Sequence, residues 1–212
     1  MKPRVLPVLA LTLFALPAAA QHFGIKGGVN LNRDSVSLGL PIGSGPSDET
    51  TLVGGVAVDA EVWDQLRFQM EVLYQRRSTT ITFLDSTGLP PIETEYRLDY
   101  FVVPLLLRYD LSPGPFIPYA VAGTQLGFRF RAHAESRSAG NTRDDDVGDQ
   151  FKRTDVALVV GGGVAYRIRG GVFLTGDLRY VHGLTNISEN PTGADEWKTR
   201  SLQIMGGVAF RF

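Results

Sequence analysis

The stretch SLQIMGGVAFRF, residues 201–212, repeats with a period of two. Leu202, Ile204, Val208, Phe210 and Phe212 fall on one side of an extended chain, and Gln203 and Arg211 on the other. A strand turns successive side chains to opposite faces, so this segment reads as an amphipathic β-strand. It is about twice as long as a typical globular strand and close to the roughly 9–11 residues that a tilted strand needs to cross a bilayer.

The same pattern recurs upstream. In HFGIKGGVNLN (22–32), Phe23, Ile25, Val29 and Leu31 oppose His22, Lys26 and Asn30. LVGGVAVDAEV (52–62) sets Leu52, Val56, Val58 and Val62 against Asp59 and Glu61, and LRFQMEVLYQR (66–76) sets Phe68, Met70, Val72 and Tyr74 against Arg67, Gln69 and Glu71. VALVVGGGVAY (156–166) and VFLTGDLRYVH (172–182) alternate likewise. Two strands are less regular. RLDYFVVPLLLRYD (97–110) becomes uniformly apolar after its start, and Pro104, which cannot donate to a ladder, predicts a bulge or a local defect there. YAVAGTQLGFRFRA (119–132) opposes Leu126, Phe128 and Phe130 to Gln125, Arg129 and Arg131.

These make eight strands, and their connections alternate in length. WDQL (63–66), DLSPGPF (110–116) and RIRGG (167–171) are tight turns, whereas residues 33–50, 77–95, 133–153 and 184–197 read as long polar loops. Short turns on one side and long loops on the other are the pattern of an outer-membrane barrel, with both termini on the turn side. The fold expected is all-β: an eight-stranded antiparallel up-and-down transmembrane β-barrel occupying residues 21–212.

Residues 1–20 are set apart. Lys2 and Arg4 precede an apolar run from Val5 to Leu16 and then Ala18, Ala19 and Ala20, the layout of a secretory signal peptide with cleavage between Ala20 and Gln21. That run is too short to span a bilayer of about 30 Å. Export directs the chain to the bacterial outer membrane. Without Lys2 and Arg4, 19 basic residues face 22 acidic ones, a balance that excludes a nucleic-acid footprint. There is no cysteine, so disulfides do not hold the fold.

A soluble barrel would turn its apolar face inward. Here aromatics gather at both ends of the apolar faces: Phe23, Tyr166, Phe210 and Phe212 toward the turns, and Tyr74, Phe128, Phe130 and Tyr180 toward the loops. These are the two girdles of a membrane barrel, so the apolar face is expected to meet outer-membrane lipid and the charged face the lumen. The charges assigned inward are Lys26, Asp59, Glu61, Arg67 and Glu71 in the first half, then Arg97, Asp99, Asp155, Asp177, Arg179 and Arg211. Both signs are present, and buried charge must pair, so a paired lumen is expected. Gly-Gly-Val occurs at 27–29, 54–56, 162–164, 170–172 and 206–208; parity points Gly28, Gly55, Gly163 and Gly207 inward, leaving room for long charged side chains and permitting sharp curvature. The terminal Phe210 and Phe212 resemble the signal by which the barrel-assembly machinery recognises its substrates.

DYFVVPLLLRYDL (99–111), PYAVAG (118–123), DVALVVGGGVAY (155–166) and DLRYVHGLTNI (177–187) resemble the PorT-like outer-membrane β-barrel family, typical of Bacteroidota. The resemblance covers essentially the whole mature chain and implies an eight-stranded outer-membrane barrel of mostly unassigned role. One member is linked to protein secretion, but no motif here identifies a secretion component.

No catalytic, cofactor-binding or metal-ligating residue is assigned, and no cofactor is expected. His182, with Ser188 and Ser201 nearby in sequence, is the one trace of a lipid-modifying enzyme, and no motif joins them. The run Asp144–Asp146 matches no calcium-loop spacing and reads as solvated loop. Arg76, Arg77, Arg129, Arg131 and Arg153 lie near rims where anionic headgroups could be met. The expected role is structural or adhesive, through a protein or surface ligand at the external loops. A narrow channel or an accessory component of a transport or secretion system is the alternative, and a lipid-modifying enzyme comes third.

Overall fold

The computed structural model describes residues 22–32, 35–37, 49–83, 92–138, 141–146, 153–185, 196–198 and 200–212; the expected signal peptide and its cleavage point lie outside them. Eight long strands form the wall: β1 (His22–Asn32), β3 (Glu49–Trp63), β4 (Leu66–Phe83), β5 (Ile92–Asp110), β6 (Phe116–Ser138), β8 (Thr154–Arg169), β9 (Val172–Gly183) and β11 (Arg200–Arg211). Three short ones, β2 (Ser35–Ser37), β7 (Asn141–Asp146) and β10 (Glu196–Lys198), stand outside it. Each long strand pairs antiparallel with the next, and β1 pairs with both β3 and β11, which closes the barrel. His22 lies opposite Asp59 on one side and Arg211 on the other. Closure leaves no edge over the span where all eight strands pair.

The three short turns and the free ends of β1 and β11 share one end. The β8–β9 turn is Gly170-Gly171, with φ of 58° and 83°, the left-handed pair that a two-residue hairpin matching strand twist requires. Asp64 in the β3–β4 turn, at φ 40°, is the only described non-glycine residue of positive φ.

The outer face is apolar. Ile25, Leu52, Val56, Leu107, Leu158, Leu174, Leu178 and Ile204 are all exposed, Leu52 by 71%. Phe116, Tyr166, Phe210 and Phe212 are exposed toward the turns, and Phe101, Phe128, Phe130 and Tyr180 toward the other end. Oily side chains thus ring the outside between two aromatic belts, the reverse of a water-soluble barrel.

Three expectations are corrected or narrowed. First, much of what reads as loop is strand. The β4–β5 ladder continues to Phe83 opposite Ile92, and β6 runs on to Ser138 and pairs with β7. Outside a bilayer a strand no longer needs an apolar outer face, so the ladder persists where the alternation fades. Second, Pro104 produces the local defect that was its expected alternative, and no bulge. It faces inward opposite Gln125; pairing with β4 lapses between Met70–Leu105 and Leu73–Val102 and resumes in the same register. The shift falls instead at Asp99/Tyr100, whose partners Arg131 and Arg129 leave Phe130 as an extra residue on β6. Third, charge does not fill the lumen alone. Val53, Leu73, Leu98, Tyr100, Val102 and Met205 form one buried apolar cluster, and Leu106, Ile117, Tyr119, Val121, Val159 and Val181 belong to another.

The glycine triplets shape this interior. A β-carbon on Gly28 would fall on the Ile204 carbonyl, and one on Gly55 on the Val72 carbonyl, so at these positions the neighbouring backbone folds over the inward face. The triplet at 170–172 does different work, in a turn.

Candidate functional site

Four ionised groups meet at the centre of the lumen. Asp177 and Arg179, two apart on β9, share its inner face. Lys26 on β1 and Glu71 on β4 reach them from the other side. Arg179 donates from Nη1 to Glu71 Oε2 at 2.6 Å and from Nη2 to Oε1 at 2.9 Å, a bidentate fork, and from Nη2 to Asp177 Oδ1 at 3.0 Å. Lys26 Nζ lies 3.0 Å from both Glu71 Oε1 and Asp177 Oδ2. Tyr119 donates its hydroxyl to Asp177 Oδ1 at 2.9 Å, and Gln69 its amide to Glu71 Oε1 at 2.5 Å. Two cations balance two anions, which is what burial in a medium of low polarity demands.

The register explains how such side chains fit. Lys26 stands between Gly55 on β3 and Gly207 on β11. Arg179 stands opposite Gly161 and Asp177 opposite Gly163, both on β8. Inward glycines therefore flank three of the four charged residues and clear the volume they occupy.

Two further groups cap the interior. At the turn end, Arg67 Nη1 donates to Asp59 Oδ1 at 3.0 Å, and His22 Nδ1 lies 3.0 Å from the same oxygen. Arg67 Nε lies 3.2 Å from Asp110 Oδ2, and Arg108 donates to Asp110 Oδ1 at 2.7 Å while stacking over the Tyr119 ring at 3.8 Å. A cavity of about 40 Å³ opens here, lined by these groups with Arg167 and Arg211. Toward the other end, buried Arg77 donates to Asp155 Oδ2 at 2.5 Å and stacks over Tyr100 at 4.5 Å.

Of the charges assigned inward, Lys26, Asp59, Arg67, Glu71, Asp155, Asp177 and Arg179 take part in these groups. Glu61 and Arg211 sit at the turn-end mouth and are exposed to water. Arg97 and Asp99 are not in the lumen at all. They continue the outward face of β5 beyond the aromatic belt, while Leu98 and Tyr100 face in. Arg77 is corrected in the opposite sense, from rim to interior. The sequence does not single out His22, Arg108, Asp110 and Tyr119 as lumen groups. Parity puts His22 beside Lys26, but the apolar run of β5 hides the inward Arg108.

Outside the belt, Arg76 donates from Nε to Asp99 Oδ1 at 2.9 Å, and Tyr74 donates its hydroxyl to the same oxygen at 2.9 Å. The bond and charge of Asp99 raise the Arg76 pKa further, so it stays cationic at any physiological pH. Arg97 grips Glu95 at 2.6 and 2.7 Å, with Glu135 at 3.4 Å. An open cavity of about 320 Å³ is lined by Arg76, Arg97, Asp99, Arg131, His133 and Glu135.

His182 faces outward beside Tyr180, whereas Ser201 is buried on the inner face of β11, so the two lie on opposite sides of the wall. Ser188 lies outside the described residues. Among the described residues no cluster of three or more His, Asp or Glu could hold a metal ion. Asp144–Asp146 belong to the backbone of β7, opposite His133–Glu135 of β6.

The family described as an outer membrane protein beta-barrel domain matches residues 19–189. Among solved structures, the outer membrane protein OprG from Pseudomonas aeruginosa is 15% identical with a TM-score of 0.56, covering 92% of this chain and 97% of that one. A major outer membrane protein from Thermus thermophilus is 13% identical with a TM-score of 0.53, covering 91% of this chain and 100% of that one. At these identities the likeness is one of fold. No curated protein matches the chain.

Proposed function

The chain belongs to the outer membrane protein beta-barrel domain family, and from that premise we propose that it is a sealed barrel whose external wall serves as a structural and interaction surface. The observation that carries this reading is the continuation of β4, β5 and β6 past the aromatic belt, joined there by β7. The bilayer does not need those residues, and they raise a paired sheet into the space outside the membrane. The packed centre supports sealing: Glu71 and Arg179 are wholly buried, with apolar clusters packed beside them. Planar-bilayer recording from the purified protein tests this, because a sealed barrel gives no sustained openings and a conducting one gives steps that scale with salt. Crosslinking on intact cells followed by purification identifies what the wall touches. Recovery of no partner and no surface ligand would overturn the interaction role.

A second reading, a narrow polar path serving transport or secretion, draws on the buried amides of Gln75, Gln125 and Gln203, which have polar atoms without a protein hydrogen-bond partner. Such atoms suit water. The same recordings decide between the two. The separation of His182 and Ser201 by the barrel wall supports a non-enzymatic role; unaltered membrane lipid on expression is the expected result.

A further inference from the structure

The outward face of the external wall is ordered in rows across β4, β5 and β6. In the aromatic belt, Tyr74 pairs with Phe101, and Phe101 stacks on Phe130 at 4.9 Å. One step outward the register aligns Arg76, Asp99 and Arg131. The next row holds Arg97 and His133, and the one beyond it Glu95 and Glu135. Asp144 and Asp146 take register positions on β7, opposite Glu135 and His133. The row nearest the aromatic belt thus holds two arginines to one carboxylate, and the Glu95–Glu135 row is acidic.

The bulge creates this arrangement. With regular alternation Arg131 would share the inner face with Arg129. The extra Phe130 leaves a ring and a guanidinium adjacent on the same outer face, and bulges characteristically re-aim a side chain in this way. Asp99 stands between the two arginines of its row, so it holds Arg76 in place and still leaves a net positive charge there.

We propose that this face binds the phosphorylated headgroup of a lipid in the outer leaflet, with the phosphate between Arg76 and Arg131 and the adjoining apolar part of the lipid against Phe101 and Phe130. Guanidinium forks match phosphate oxygens in pairs, which suits a planar cation held by a neighbouring carboxylate. The aromatic floor selects a lipid over a free anion, because it offers a surface only to a molecule that has an apolar body. The inference rests on the outward face meeting lipid and not on what the wall binds, so recordings or crosslinking that overturn the proposed function leave it standing.

Native mass spectrometry of the purified full chain in detergent tests it, with diphosphoryl lipid A and the same glycolipid without phosphate as probes. The wild-type protein retains the phosphorylated probe about tenfold better, the order of one lost charge-assisted contact. The double variant Arg76→Gln/Arg131→Gln loses that preference, and Arg76→Lys/Arg131→Lys keeps most of it. Heat-dependent mobility on gels reports that each variant is folded. Equal retention of both probes by the wild type overturns the proposal, as does a folded glutamine variant that keeps the preference. Displacement of the lipid by millimolar inorganic phosphate would reassign the face to a free anion and overturn the lipid.

Discussion

Arg179 and Glu71 are 108 positions apart in the chain, yet they meet through two hydrogen bonds of 2.6 and 2.9 Å with neither side chain exposed to solvent. They tie β9 to β4 across the inside of the barrel, where no ladder joins those strands. Removing one member of a buried pair strands the other. Glu71→Gln leaves Lys26 and Arg179 sharing Asp177 alone, and the expected cost is about 3–5 kcal/mol of unfolding free energy. Urea unfolding in lipid vesicles measures it. Replacing Glu71 and Arg179 together by apolar residues of similar size should cost less than the sum of the single changes.

Tyr119 lies under Arg108 and bonds Asp177, so it joins the central charges to the group at the turn end. Tyr119→Phe keeps the ring and its stacking and removes only the donor to a carboxylate. The expected loss is about 1.5–3 kcal/mol, measured in the same unfolding assay. A change near zero would show that water replaces the hydroxyl.

The paired glycines of the first triplet should respond unequally. Gly27 faces outward, and a β-carbon there would meet only the Val53 carbonyl at 3.9 Å. Gly28 faces inward beneath the Ile204 carbonyl. Gly27→Ala is expected to fold like the wild type, while Gly28→Ala forces β1 away from β11 and lowers the folded fraction severalfold. Gel mobility after refolding into detergent separates the two outcomes.

Most of the wall was legible because a membrane barrel writes its two environments into alternate residues: Ile25, Leu52, Leu174 and Ile204 against Lys26, Glu71 and Arg179. The same rule misplaced Arg97 and Asp99. Parity along β5 never breaks, and both residues share a face with Leu107 and Phe101; what changes is the medium, from lipid to water, and with it the meaning of a charge. The bulge at Phe130 leaves no local signal, since alternation in GFRFRA reads equally well without it. The charge cluster was legible only as a set of inward residues. Which ones meet depends on strand stagger, and the glycines beside Lys26, Asp177 and Arg179 became meaningful only in register.

That change of medium along one face of β5 can be measured directly. The chain has no cysteine, so single replacements at Leu107, Phe101 and Arg97 give clean probes of three levels on the same side. In lipid vesicles, a spin label at Leu107 is expected to be accessible to oxygen dissolved in the acyl region and shielded from a water-soluble nickel chelate. At Phe101 both collision rates should be intermediate, and at Arg97 the chelate should dominate. Leu106→Cys, one residue away on the inner face, should be shielded from both, because Leu106 is fully buried. If the label at Arg97 behaved like the one at Leu106, the charged row would lie inside the barrel and the outer lipid face proposed for Arg76 and Arg131 would lose its foundation.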